Sequence, residues 1–211
     1  MKRNVVCISR TAGAGGETVG RLVAERLGYA YVDEEIIVLA SQKAGLDPTE
    51  VARTEERAPL LDRLLDALTV PSAMSMIEAA GAYYWVGSTA VPVPAAENLR
   101  ALIREAIEEI AARGRVVIVA HAASYALGRR PEVLRVLVTA SPETRVERLT
   151  LLKTDDATRA VRDSDHEREH YLRRFYDVRE ELPLHYDLVV NTDTLAVEQS
   201  VAAIVAAASA A

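Results

Sequence analysis

The chain is poor in the side chains that staple or anchor a fold. It has one cysteine, Cys7, one tryptophan, Trp85, and one phenylalanine, Phe175. A lone cysteine excludes an internal disulfide and a zinc site built on thiolates. Its place inside an apolar run marks it as a buried, inert thiol. With aromatics at 5% of 211 residues, the core must be built from Val, Leu, Ile and Ala. No apolar run reaches the roughly 18 residues that a membrane span needs, so none is expected. The net charge of −6 argues against a broad nucleic-acid surface. A local basic cluster can still hold a phosphorylated small molecule. Met1-Lys2-Arg3-Asn4 leads directly into an apolar strand with no secretory stretch, so a cytoplasmic protein is expected.

What is present begins at that strand. Val5-Val6-Cys7-Ile8-Ser9-Arg10 is followed by Thr11-Ala12-Gly13-Ala14-Gly15-Gly16-Glu17-Thr18. This reads as strand, glycine-rich turn and helix start. Such a turn aims backbone N–H groups and a helix N-terminus at one point, which attracts phosphate. Val19, Leu22, Val23 and Leu27 share a helical face, and Gly28 stops the helix. Tyr29–Val32 then reads as a second strand ending at Asp33, completing a βαβ unit and implying a parallel sheet.

From Glu34 to Gly114 the pattern is mostly helical. Leu60, Leu61, Leu64, Leu65 and Leu68 form a stripe, and Met74, Met76 and Ile77 a further apolar group. These read as core packing or a subunit interface, so a homo-oligomer is one expectation. Residues 81–94 are irregular and read as a loop or variable segment. Arg115–Ala120 and Val133–Val138 are further strands, the first followed by His121. Ser141-Pro142-Glu143-Thr144 starts a capped helix. Asp155–Glu181 is a charged helical stretch, Tyr186–Val190 a last strand, and Asp193-Thr194 the expected cap of an alanine-rich helix.

The glycine loop admits several readings. The P-loop pattern G-x-x-x-x-G-K-[ST] uses lysine on the outer phosphates and a hydroxyl on Mg²⁺. With Gly16 as the second glycine, Glu17 stands at the lysine and Thr18 is the hydroxyl. With Gly15 as the second glycine, Gly16 replaces the lysine, and Thr18 is again the hydroxyl if one extra residue precedes it. The lysine is missing either way. A dinucleotide reading draws on Gly13-x-Gly15 and on Asp33, twenty positions after Gly13, but its third glycine would be Thr18. A tight βα turn that binds nothing is a third reading.

Ile8-Ser9-Arg10 through Gly13-Ala14-Gly15-Gly16, with Tyr31–Ile36, resembles the cytidylate kinase-like family of P-loop proteins. The resemblance continues at Glu55–Pro59, Val117–Ala122, Asp165-x-x-Arg168-x-x-Tyr171 and Tyr186–Asp193, in order along nearly the whole chain. It implies an α/β fold of the three-layer nucleoside monophosphate kinase kind, with a five-stranded parallel sheet ordered 2-3-1-4-5. It also implies one domain: a core over 1–33, 114–153 and 182–211, a helical insert over 34–113 and a lid over 154–181.

By the same resemblance the activity is phosphoryl transfer from ATP, with Mg²⁺, to a nucleoside monophosphate such as CMP or dCMP. A kinase for another small-molecule hydroxyl and a non-catalytic nucleotide-binding protein are the alternatives. Residues 11–18, Thr11, Ala12, Gly13, Ala14, Gly15, Gly16, Glu17 and Thr18, would hold ATP, with Thr18 on Mg²⁺. Arg10 would stand in for the lysine, and Arg162 and Arg168 would close on the transferring phosphoryl. Asp33 and His121 would meet the acceptor. Each has a plainer reading: Asp33 as a helix cap, His121 as a hydrogen-bonded strand end, the arginines as a solvated charged face. Glu17 stands where a basic residue would help, and His121 where the family carries arginine. A carboxylate beside a triphosphate is unfavourable unless it faces away or acts through Mg²⁺.

Overall fold

The computed structural model describes residues 3–33, 83–86, 89–92, 96–119 and 122–210. His121 and residues 34–82, which hold the leucine stripe and the methionine group, lie outside the described residues.

Five strands form one parallel sheet. They are β1 (Val5–Arg10), β2 (Ala30–Val32), β5 (Val116–Ile118), β6 (Val133–Thr139) and β7 (Leu188–Asn191), in the order β2-β5-β1-β6-β7. This is the 2-3-1-4-5 order expected from the sequence. The central strand β1 pairs Val5 with Val116 on one side and with Val133 on the other. Buried on both faces, β1 is apolar over its first four residues, as a central parallel strand must be.

Helix α1 (Gly16–Leu27) and the last helix, α6 (Val197–Ser209), cover one face. Their Val19, Val23, Ala24, Val201, Ile204 and Ala208 close on Val6, Ile8, Val117, Leu134, Val136 and Val190. On the other face Ser9 meets Ser124 of α3 (Ala123–Leu127), their hydroxyls 3.2 Å apart. Cys7 is fully buried, and burial pushes its thiol up to about 12.

The remaining elements of this unit are α4 (Pro142–Leu151) and α5 (Ala157–Tyr176). Ser141 caps α4, accepting from the Thr144 N–H. Within the charged stretch 155–181, helix covers α5 only: Asp177, at φ 54°, ends it, and Pro183–His185 form a 3₁₀ turn before β7. Asp193 caps α4's entry rather than the last helix. Its Oδ1 accepts from the Ser141 N–H and hydroxyl at 2.9 and 3.0 Å, while α6 begins only after Ala196. A carboxylate there finds a nearer donor across the chain than along it.

By its contacts the chain divides into two units, 1–33 with 107–211, and 34–106. Helix α2 (Ala96–Arg113) crosses that boundary. The second unit corrects one expectation. Residues 81–94, read as a loop, contain an antiparallel pair, β3 (Tyr83–Val86) and β4 (Thr89–Pro92), with Tyr83 opposite Pro92. Tyr-Tyr-Trp-Val is a strand-favouring run, and Gly87-Ser88 between the strands is a two-residue hairpin signal.

Candidate active site

The loop between β1 and α1 is shaped by its own turn and anchored from behind. The Thr11 N–H reaches the Val138 carbonyl of β6, and the Ala14 N–H returns to the Thr11 carbonyl at 3.0 Å. Gly13, at φ 79°, takes the third position of that turn, where a side chain would also strike the Arg145 carbonyl oxygen at 2.8 Å. Gly15 at φ 79° caps α1 without offering a side chain.

Three consecutive loop carbonyls are held by donors from the far end of the sequence. Arg145 Nη1 reaches the Ala12 oxygen and Arg148 Nη1 the Gly13 oxygen, each at 3.4 Å. The Thr192 hydroxyl donates to the Ala14 oxygen at 2.9 Å. Arg148 in turn donates to the Thr192 hydroxyl (2.9 Å) and carbonyl (2.6 Å). With the carbonyls turned to these donors, the N–H groups of Gly15, Gly16, Glu17 and Thr18 find no acceptor among the described residues. They form the free first turn of a helix, the arrangement that binds anions.

Arg10, at the end of β1, lies across the loop. A side chain at Gly16 would meet its Cβ at 2.6 Å. Its Nη2 contacts the Glu17 carboxylate at 2.5 Å. The Glu17 carboxylate is thus opposed by a cation. Thr18 is exposed in the same first turn.

Arg168 of α5 is only 21% exposed in its side chain. Its Nε and Nη2 grip both oxygens of Glu181 at 2.7 and 2.6 Å. The Tyr186 hydroxyl donates to the same carboxylate. Burial pulls the Glu181 carboxyl up, but the Arg168 bonds and charge outweigh it and hold it below the usual range. Thr11, Asp165, Arg168, Glu169, Leu172, Arg179 and Glu181 are among the residues lining a cavity of about 410 Å³. Thr11 of the loop and Arg168 of α5 therefore border one space.

Asp165 is joined to the loop through Arg145. That guanidinium, 4% exposed, forks onto Asp165 at 2.7 and 2.6 Å while touching Ala12. Arg162 is exposed and rests on the neighbouring Asp163 at 3.2 Å; it does not line the cavity. Asp33 accepts from the Tyr31 hydroxyl at 3.1 Å, and Arg21 lies over the Tyr31 ring.

The sequence reading missed Arg145, Arg148 and Thr192. They are 133, 135 and 178 positions from their loop partners. No local pattern links them; the only signal was two arginines three positions apart, on one face of the helix after the fourth core strand.

Comparison with known proteins agrees with this geometry. The model of the cytidylate kinase-like family matches residues 5–194. A protein of Roseiflexus castenholzii named cytidylate kinase is 29% identical over 96% of this chain and 92% of its own. An uncharacterised protein of Eubacterium ventriosum shares the fold at a TM-score of 0.64 and 14% identity, covering 99% of this chain and 100% of its own. A shikimate kinase of Bacteroides thetaiotaomicron is similar in fold at a TM-score of 0.50 and 15% identity, with 95% of both chains covered.

Proposed function

The chain belongs to the cytidylate kinase-like family, and from that premise we propose that it transfers the γ-phosphoryl group of ATP to a nucleoside monophosphate, CMP or dCMP. The observation that carries this reading is the loop whose carbonyls are tied back by Arg145, Arg148 and Thr192 while its helix-start N–H groups stay free. Those N–H groups hold the donor phosphates. Arg10 supplies at the loop mouth the positive charge that a lysine carries elsewhere. Arg168, which borders the same cavity as Thr11, meets the phosphoryl group in transit and the acceptor phosphate that receives it, where a planar fork matches phosphate oxygens.

Mg²⁺ fits the residues present. It holds several waters and uses one or two protein oxygens plus substrate phosphates, and Thr18 offers one exposed hydroxyl. Among the described residues no group of three or more His, Cys, Asp or Glu would hold a metal unaided. When bound, the ion neutralises charge on the phosphates. A phosphate acceptor is already anionic, so the chain needs no general base. Asp33, steadied by Tyr31, is the candidate to orient the acceptor's hydroxyls, with His121 its proposed companion.

A second reading is a nucleotide-binding protein without turnover. It is favoured by one observation: both candidate cations are already paired, Arg10 with Glu17 and Arg168 with Glu181. The experiment that separates the two is ADP release from ATP and Mg²⁺ against a panel of nucleoside monophosphates. Release that depends on CMP or dCMP, and that Arg168→Ala abolishes, supports the kinase. ATP bound but never consumed on any acceptor supports the second reading, and no nucleotide binding at all overturns both.

A further inference from the structure

The arginine proposed to meet the acceptor phosphate already holds a carboxylate where a substrate anion would go. Glu181 lies in the irregular segment between the end of α5 and the Pro183–His185 turn. It is 19% exposed in its side chain and takes both donors of one edge of the Arg168 guanidinium. Carboxylate and phosphate present the same paired oxygens to such a fork, so either satisfies it equally well in geometry. The Tyr186 hydroxyl steadies the carboxylate, and Tyr186 is linked in turn to Tyr125 and so to His185. Arg168 and Glu181 both border the cavity of about 410 Å³ that reaches Thr11 of the loop. Asp165, Glu169 and Glu180 also line it, with Arg179 the further cation of the lining, so acidic side chains outnumber basic ones where a phosphate enters.

We propose that Glu181 is an internal anion that occupies Arg168 while the acceptor site is empty, and that the acceptor's phosphate displaces it. Glu181 thereby sets acceptor affinity and keeps loose phosphate off the lid arginine. The contact can be exchanged because one partner sits on a helix and the other on a segment without regular secondary structure. No bond is made or broken; one charge-assisted pair replaces another. The inference rests on the reading of Arg168 as the phosphate-binding lid residue.

The test is equilibrium binding, read by calorimetry on the full chain, with inorganic phosphate and with CMP as separate probes. Glu181→Gln keeps the shape and removes the charge. Phosphate and CMP are each expected to bind about tenfold more tightly to it than to the unaltered protein, since a full charge no longer competes. The gain should vanish in the Arg168→Ala background. Tyr186→Phe loosens the same carboxylate without changing charge and should give a smaller gain; it carries the test where Glu181→Gln lowers the folded yield. Unchanged or weaker binding in both variants would overturn the proposal, making Glu181 a fixed support for Arg168. Tighter phosphate binding with no CMP binding in any variant would retain the competition and discard the nucleotide acceptor.

Discussion

On the proposed reading, Glu17 is the residue on which donor binding turns. A carboxylate in the first turn of α1 is favourable for the helix dipole but opposes a triphosphate at the same place. The structure couples it to Arg10, so the two side chains add no net charge to the loop as they stand. Removing the carboxylate alone frees the guanidinium. Glu17→Gln is therefore expected to tighten ATP by roughly three- to tenfold, read by titration with Mg²⁺ present. An unchanged affinity would mean that Arg10 leaves Glu17 for the phosphates at no cost. Cys7 offers a second check at this scale. With its thiol raised to about 12 and fully buried, it should resist alkylation in the folded protein and react once denaturant unfolds the chain.

At the scale of elements, the loop is held by α4 and the end of β7 more than by its own residues. Thr192 joins two of the three anchors, donating to the Ala14 carbonyl and accepting from Arg148. Thr192→Val keeps the volume and leaves buried partners unsatisfied. It should cost about 1–3 kcal/mol by denaturant titration and weaken ATP binding beyond that of a distant variant of equal stability. The glycine loop itself was legible in the sequence because its chemistry is local: a strand, clustered glycines and a helix period lie within thirty residues. Its anchors were not, since they join residues more than 130 positions apart. The same limit explains Asp193, read as a cap for the next residues and found on Ser141 instead. The β3–β4 hairpin has a local signal too, but a mixed one: its prolines and glycines speak for a loop, and its aromatic and β-branched residues, which prevail, for strands.

For the whole molecule, the strands could be read from apolar runs, while the five-stranded parallel sheet and its order, which puts β1 at the centre, followed from the resemblance of the motifs. No pattern in the sequence announces the ion pair that locks the far edge. Arg135, 7% exposed in its side chain, forks onto Asp187 at 2.7 and 3.2 Å and joins β6 to the entry of β7. Burial raises the Asp187 carboxyl, yet bonds from the Arg135 side chain and backbone and the charges of Arg135 and Arg3 hold it below its ordinary value. A depressed folded value means stability that is full above the unfolded pKa of about 4 and lost as pH falls through the folded one. Acid unfolding should therefore steepen below about pH 4, and Asp187→Asn should flatten that limb while lowering stability at neutral pH by about 3 kcal/mol, because the buried Arg135 charge loses its counter-ion and keeps the His185 carbonyl as acceptor.

On the proposed reading this loop, without its lysine, performs transfer because Arg10 carries the charge. The most direct measurement is CMP-dependent CDP formation by the unaltered protein and by Arg10→Ala at saturating ATP and Mg²⁺. Turnover is expected to fall by about a hundredfold or more in Arg10→Ala, with ATP still bound. Turnover that survives the substitution, or that is absent from the unaltered protein, would contradict it.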